Sequence, residues 1–272
     1  MNPETDMKGE ISVSRVKIVI TFLLLSIWTL LMVSTFIVAK AVRIPRVNAM
    51  IPVFHRGVLK CFNLECVVEG DLVTTRPTLY ISNHISYIDI FVLGANLPAV
   101  FIAKSEVARW PLFGTLAKLQ DSLFVERKSR KVGSQVQQIQ RHLLNVSNLV
   151  LFPEGTSDIG TLVAPFKSSF FQAAASEQNN ILIQPVTVAY TLYESQRMDR
   201  KTRDYYAWYK PRKILNHFLN GLGLGRAQVK LIFHEPVKFT SFESRKDCCR
   251  HCEAVIRQGL LEAIGLDQEI LR

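Results

Sequence analysis

The sequence has 272 residues, is 48% hydrophobic, and carries 33 Lys and Arg against 23 Asp and Glu, a net charge of +10. That length allows one large domain or two small ones with a substantial core. The basic balance suits anionic partners: phospholipid headgroups, phosphorylated substrates, acidic carrier proteins or nucleic acid. Cys61, Cys66, Cys248, Cys249 and Cys252 lack the paired spacing of a zinc framework, and an odd count in a chain this long argues against a disulfide scaffold. Reduced thiols in a cytosol-facing domain are expected.

From Ile18 to Ala39 the chain runs 22 residues without a charge. As a helix this covers ~33 Å, enough for the hydrocarbon core of a bilayer, and it exceeds the ~7–15 residues of a signal-peptide core. A retained membrane helix is therefore expected. Lys8, Arg15 and Lys17 precede it, and Lys40, Arg43, Arg46, Arg56 and Lys60 follow it. That excess places the C-terminal part on the cytoplasmic side, at the inner membrane. Val47, Met50, Ile51, Phe54, Val58, Leu59 and Phe62 then repeat at helical spacing, interrupted by His55, Arg56 and Lys60. This reads either as an interfacial helix, forming a hairpin with the first, or as an amphipathic helix packed on the domain. Residues 1–60 are thus assigned to membrane anchoring and 61–272 to a second, differently patterned unit.

In that unit, strand-like runs occur at Leu64–Val68, Thr78–Ser82, Ala99–Ala103, Leu123–Glu126, Leu149–Phe152, Ile181–Ala189 and Gln228–Phe233. Helical patterns lie between them: Val132, Val136, Ile139, Leu143 and Val146 share a face, another run follows Lys167, and a third covers about 247–263. The alternation predicts an α/β domain, a mixed sheet covered by helices, preceded by the membrane helix or helical hairpin.

Three junctions carry polar groups that such a sheet would collect at strand ends. The first is Asn83-His84-Ile85-Ser86-Tyr87-Ile88-Asp89, directly after a strand. Ser86 is a candidate N-cap, and a helix starting at Tyr87 would fold Asp89 back onto one nitrogen of His84. The other nitrogen would then serve as a base for a hydroxyl supplied by a substrate. The second is Leu123-Phe124-Val125-Glu126-Arg127, where a guanidinium could grip a phosphate; Lys128, Arg130 and Lys131 beside it read as a solvated face. The third is Phe152-Pro153-Glu154-Gly155-Thr156-Ser157-Asp158, with a glycine that lets the backbone approach a ligand and a carboxylate that could meet a polyol or assist His84.

Taken together with Ile183-Gln184-Pro185-Val186, these blocks resemble, in order and spacing, the four-block pattern of the glycerolipid acyltransferase family. The resemblance spans about residues 78–190 and includes 1-acyl-glycerol-3-phosphate acyltransferases; the run from FIAKSEV to FHEPV is equally similar to the lyso-ornithine lipid branch. Leu123 stands where the family often has glycine, and Glu126 where it often has aspartate. The resemblance implies O-acyl transfer from acyl-CoA or acyl-carrier protein to a lysolipid hydroxyl, without metal or redox cofactor. 1-Acyl-glycerol-3-phosphate is the first acceptor it implies, and lyso-ornithine lipid or another lysolipid the alternative. His84 would be the base and Asp89 its orienter. Arg127, Glu154, Gly155 and Thr156 would hold the acceptor, with Lys104 and Lys167 as secondary anion contacts.

Finally, residues 197–213 carry seven cations against two acids, interleaved with Tyr205, Tyr206, Trp208 and Tyr209. This pattern suits a headgroup region or single-stranded nucleic acid. With the acyltransferase blocks present, it is assigned to the membrane surface; the expected partners are membrane phospholipids, and nucleic acid is not expected.

Overall fold

The computed structural model describes residues 11, 13–75, 77–126, 132–145, 147–175, 181–209 and 212–266. Helix α1 (Arg15–Ala41) begins where the Ser14 hydroxyl accepts from the Lys17 amide, satisfying one otherwise unpaired N–H of the first turn. It is long and apolar enough to cross a membrane, and its outer face is bare: Val16 is 70% exposed and Leu30 71%. The opposite face lies along the rest of the protein. The Ser14 N–H donates to Gly223 O (3.3 Å), the Trp28 indole to Phe54 O (3.1 Å), and Lys40 pairs with Asp121 (3.4 Å). Both ends and the middle of the helix are therefore fastened to one body.

A 3₁₀ turn (Val47–Ala49) leads into α2 (Met50–Cys61). α2 packs both on the domain and against α1, where the Trp28 indole meets Phe54 O: Phe54, His55, Val58 and Leu59 are buried, while Val53, Arg56 and Lys60 face outward. His55, which breaks the apolar pattern in the sequence, goes inward as a neutral ring. Burial pushes its pKa down to about 4, against the opposing effect of its hydrogen bond to Gln120 (3.2 Å).

The sheet is built from β1 (Leu64–Glu69), β2 (Thr78–Ser82), β3 (Ala99–Lys104), β4 (Leu123–Val125), β5 (Asn148–Leu151), β6 (Leu182–Tyr193), β7 (Gln196–Arg197), β8 (Ala227–Phe233) and β9 (Val237–Lys238). Its order is β1-β8-β6-β2-β5-β3-β4, with β7 and β9 also pairing β6. From β6 to β4 every pairing is parallel, whereas β8 runs antiparallel to β6 and parallel to β1. All seven strand-like runs of the sequence are strands. The sixth is longer than expected because it continues into the β6–β7 hairpin.

Alternate side chains of each strand serve opposite faces. Tyr80, Val150, Val186 and Val188 join one apolar cluster with α2 and with α3 (Ile88–Asn96). Leu79, Ile81, Leu149, Leu151 and Ile183 join a second cluster with α5 (Val132–Asn145) and α8 (Arg245–Ile264). The sheet is thus covered on both faces. The helical run expected after Lys167 is a short 3₁₀ segment, Ser168–Ala174. Helices α4 (Phe113–Leu119), α6 (Arg200–Asp204) and α7 (Ile214–Leu222) have no counterpart in the sequence reading. All five cysteines are free thiols.

Candidate active site

β2 and β5 are neighbours and parallel, so their C-terminal ends lie at one edge of the sheet. His84 follows β2 by two residues and Glu154 follows β5 by three; both therefore emerge at that edge. The end of β2 is fixed by Asn83, whose side-chain amide donates to Val188 O (2.9 Å) and accepts from Val188 N–H (2.8 Å). This side chain takes the place of the next ladder rung between β2 and β6.

The loop after Asn83 closes around Asp89. Its Oδ2 accepts from the His84 ring at Nδ1 (3.0 Å) and from the main-chain N–H groups of Ile85 (2.7 Å) and Ser86 (2.9 Å). Its Oδ1 accepts from the Tyr190 hydroxyl (2.9 Å). The Asp89 side chain is fully buried, and the His84 side chain is 20% exposed. With Nδ1 engaged by a carboxylate acceptor, the imidazole carries its proton there and presents an unprotonated Nε2. No hydrogen bond among the described residues occupies Nε2. The ring lies on Phe152, centroids 4.2 Å apart and planes 24° from parallel, and Phe152 stacks in turn on Phe101 at 6.4 Å.

The capping expectation needs correction. The helix starts at Ile88 rather than Tyr87, and the Ser86 hydroxyl has no partner among the described residues. Asp89 instead reaches back to the Ser86 N–H, which is the return half of a capping box. One carboxylate therefore both starts the helix and orients the imidazole.

Glu154 also differs from expectation. Its Oε1 accepts from the His84 main-chain N–H (2.7 Å) and its Oε2 from the Ala164 N–H (2.9 Å), and the residue is only 3% exposed. The carboxyl is committed to the backbone of two loops and does not face an acceptor. Burial raises its pKa to about 8, with the hydrogen bonds from Ala164 and His84 opposing the rise. A third tie joins the same loops, the Asp158 N–H donating to His84 O (3.0 Å).

Gly155 turns the chain with φ +67°, and a Cβ there would lie 2.9 Å from the Lys167 Nζ. The Lys167 ammonium thus sits against the Phe152–Gly155 turn, and its main-chain N–H donates to Pro153 O (3.0 Å). Thr156 is exposed on the same turn. Lys104 ends β3, half-buried, at the same edge of the sheet. Arg127 lies outside the described residues, as do Lys128, Arg130 and Lys131.

Trp208 and Tyr190 were not anticipated as part of this region. The Trp208 N–H donates to Ile85 O (3.0 Å), its carbonyl accepts from the Ser157 hydroxyl, and its ring meets Tyr87 and Trp110 edge-on at 6.2 and 6.0 Å. The basic, aromatic stretch 197–213 therefore packs partly inward: Tyr206 is 1% exposed and Arg203 5%. The available signal was a tyrosine directly after the apolar run Ile181–Ala189, since a phenol buried by an extension of that strand needs a partner. Among the described residues no group of three or more His, Cys, Asp or Glu is arranged to hold a metal ion.

The Acyltransferase family model matches residues 64–189, which contain His84, Asp89, Phe152 and Glu154; Tyr190 and Trp208 lie beyond it. A lyso-ornithine lipid O-acyltransferase of Brucella abortus is 38% identical over 223 residues, 80% of this chain and 83% of that protein. The protein of the same name from Rhizobium meliloti is 36% identical over 217 residues, 78% and 74% of the two chains. A 1-acyl-sn-glycerol-3-phosphate acyltransferase of Neisseria meningitidis is 32% identical over 133 residues, 47% of this chain and 51% of its own. In fold, the chain resembles the acyltransferase PlsC of Thermotoga maritima, with TM-score 0.60 over 90% of this chain and 97% of that one at 20% identity. With the blocks, the sheet and the relatives in agreement, the chain belongs to the glycerolipid acyltransferase family and is an O-acyltransferase.

Proposed function

We propose that the protein transfers a fatty acyl group from a thioester, acyl-CoA or acyl-carrier protein, to the free hydroxyl of a lysolipid, and that the lysolipid is lyso-ornithine lipid. The observation that carries the acceptor is the extent of similarity: relatives of that name match about four-fifths of the chain, and the 1-acyl-glycerol-3-phosphate enzyme of Neisseria meningitidis about half. 1-Acyl-glycerol-3-phosphate remains the second reading, favoured by the cationic run at Arg127 and the net charge of +10.

In this scheme His84 Nε2 takes the proton of the acceptor hydroxyl as its oxygen attacks the thioester carbonyl carbon. The tetrahedral oxyanion collapses, the C–S bond breaks, and the imidazolium returns its proton to the departing thiolate. The products are an ester and a free thiol, so the scheme requires neither a metal nor a redox cofactor. Asp89 holds the ring and offsets the imidazolium charge. Glu154 keeps the two loops together, with Gly155 and Thr156 on the turn beside them. Arg127, Lys104 and Lys167 supply positive charge for an anionic acceptor or donor group.

Membrane attachment follows from α1. Because both of its ends are fastened to the same body, both lie on one side of the membrane, and the helix rests in a single leaflet with its bare apolar face in the acyl region. With both flanks on one side, the Lys and Arg residues around α1 favour an anionic leaflet, read here as the cytoplasmic face of the inner membrane. The test of the acceptor is a thiol-release assay in vesicles offering lyso-ornithine lipid and lysophosphatidic acid, each with acyl-CoA and with acyl-carrier donor. Preference for lysophosphatidic acid would reverse the assignment.

A further inference from the structure

We propose that Tyr190 is a positioning residue for acyl transfer, acting on His84 through Asp89; this rests on the reading of His84 as the base. The residue lies 101 positions from Asp89 in the chain, on β6, the neighbour of β2 in the sheet, and its hydroxyl donates to Asp89 Oδ1 at 2.9 Å. Among the described residues, every other hydrogen bond to this carboxylate falls on Oδ2. Tyr190 therefore supplies the donor for the oxygen that faces away from the imidazole.

Three features hold the phenol where it is. Its ring stacks on Tyr206, centroids 5.5 Å apart and planes 26° from parallel. Its carbonyl accepts from the buried Arg203 guanidinium at Nε (3.2 Å). Immediately after it, the β6–β8 pairing shifts register between Tyr190 and Leu192. Irregularities of this kind re-aim a side chain beside a site. Both Tyr206 and Arg203 belong to the basic, aromatic stretch, so that segment reaches the catalytic pair through Tyr190.

The physical need is specific. A fully buried carboxylate stays ionised only if its oxygens are paired with donors. It must be ionised, and turned with Oδ2 toward Nδ1, at the moment the imidazole takes a proton. Burial and the neighbouring Asp89 hold the Tyr190 hydroxyl far above its usual pKa, so it stays a donor throughout. Without it, Oδ1 is left bare in an apolar setting, and the carboxyl can answer by rotating or by binding a proton. Either answer weakens the hold on His84 and leaves substrate contacts untouched.

The test is a double-mutant cycle of Tyr190→Phe and Asp89→Asn in the full chain in vesicles. It is read as thiol release with whichever lysolipid the wild type accepts, with kcat taken per folded molecule from the melting curve. Tyr190→Phe should lower kcat about tenfold and hold KM within about twofold. In the Asp89→Asn background it should lower kcat by clearly less than in the wild type, because the charge it supports is gone and only the amide's contact with the hydroxyl remains to be lost. Losses that multiply in the double variant, or a Tyr190→Phe enzyme with wild-type kcat, would overturn the proposal. A wild type that releases no thiol with either acceptor would overturn the acyl-transfer reading itself, and this proposal with it.

Discussion

Replacing Asp89 by Asn separates the orienting role of this side chain from its charge. The substitution is nearly isosteric, and the hydrogen-bond directions permit it. Three donors converge on Oδ2, so the amide oxygen must take that position; the amide NH₂ then faces the Tyr190 hydroxyl, which can accept as well as donate. No donor is forced against another, the loop keeps its shape, and His84 keeps its tautomer. Only the charge is lost. At a separation of 3.0 Å and an effective dielectric of about 20, a full charge pair interacts by about 5 kcal/mol. The amide dipole retains part of this, leaving a loss of roughly 3 kcal/mol in the transition state, or about 100-fold in kcat. Steady-state thiol release in vesicles should show that fall with acceptor and donor KM nearly constant. A variant within about fivefold of wild-type kcat, or one whose loss lies in KM, would refute the claim that Asp89 stabilises an imidazolium.

His84→Ala should abolish turnover and leave the fold intact, because the main-chain links from His84 to Glu154 and Asp158 survive and the ring is partly exposed; circular dichroism and thiol release check both halves. Phe152→Leu removes the flat face under the imidazole while keeping apolar volume. A cation–π contribution of about 0.5–2 kcal/mol predicts a fall in kcat of roughly 2- to 30-fold, and unchanged kcat would dismiss the stack as packing alone. Glu154→Gln sets an amide NH₂ against one of two buried N–H donors and should cost about 1–3 kcal/mol. The wild-type carboxyl has its pKa raised to about 8, so the folded state holds this proton more tightly than the unfolded one. Its contribution to stability is greatest below about pH 4.5 and falls as pH rises toward 8. The deficit of the Gln variant should therefore narrow between pH 5 and 8 in denaturant titrations; a constant deficit would contradict the raised value. Arg127→Ala should raise the KM of an anionic acceptor about tenfold or more with kcat nearly unchanged, and unaltered acceptor kinetics would remove Arg127 from the binding set.

β7 and β9, two residues each, left no signal; the other seven strands were legible as short runs rich in apolar residues bounded by turn formers, and β2, β5 and most of β6 are buried on both faces as such runs suggest. α4 and α6 were not, having only seven and five residues, too short for periodicity to stand out. α7 follows directly on the stretch 197–213, whose charges and tyrosines drew the reading toward surface. His84 and Asp89 were legible as a pair because a turn and the start of a helix bring positions five apart together. Local spacing, in contrast, cannot show where a side chain finds a partner across the sheet. Tyr190 meets Asp89, and Glu154 meets the Ala164 N–H, through strand order and loop return, neither of which leaves a periodic trace in sequence.

Strand order also explains why two motifs 70 residues apart in the chain meet. Were β2 and β5 antiparallel neighbours, His84 and Glu154 would emerge at opposite edges, a strand length apart. Parallel pairing sends both loops out at the same edge, and their junction is then secured by main-chain hydrogen bonds rather than by side-chain fit: His84 N–H to Glu154, Asp158 N–H to His84 O, Trp208 N–H to Ile85 O. A base on a free loop would sample many positions relative to the thioester, and misplacement by an ångström can cost a hundredfold in rate. Here the imidazole proposed as the base stands between a buried carboxylate at its edge, an aromatic ring against its face, and a backbone tied to the neighbouring loop. The freedom that remains belongs to the substrates, of which, on the proposed function, only the reacting hydroxyl and carbonyl need reach the imidazole.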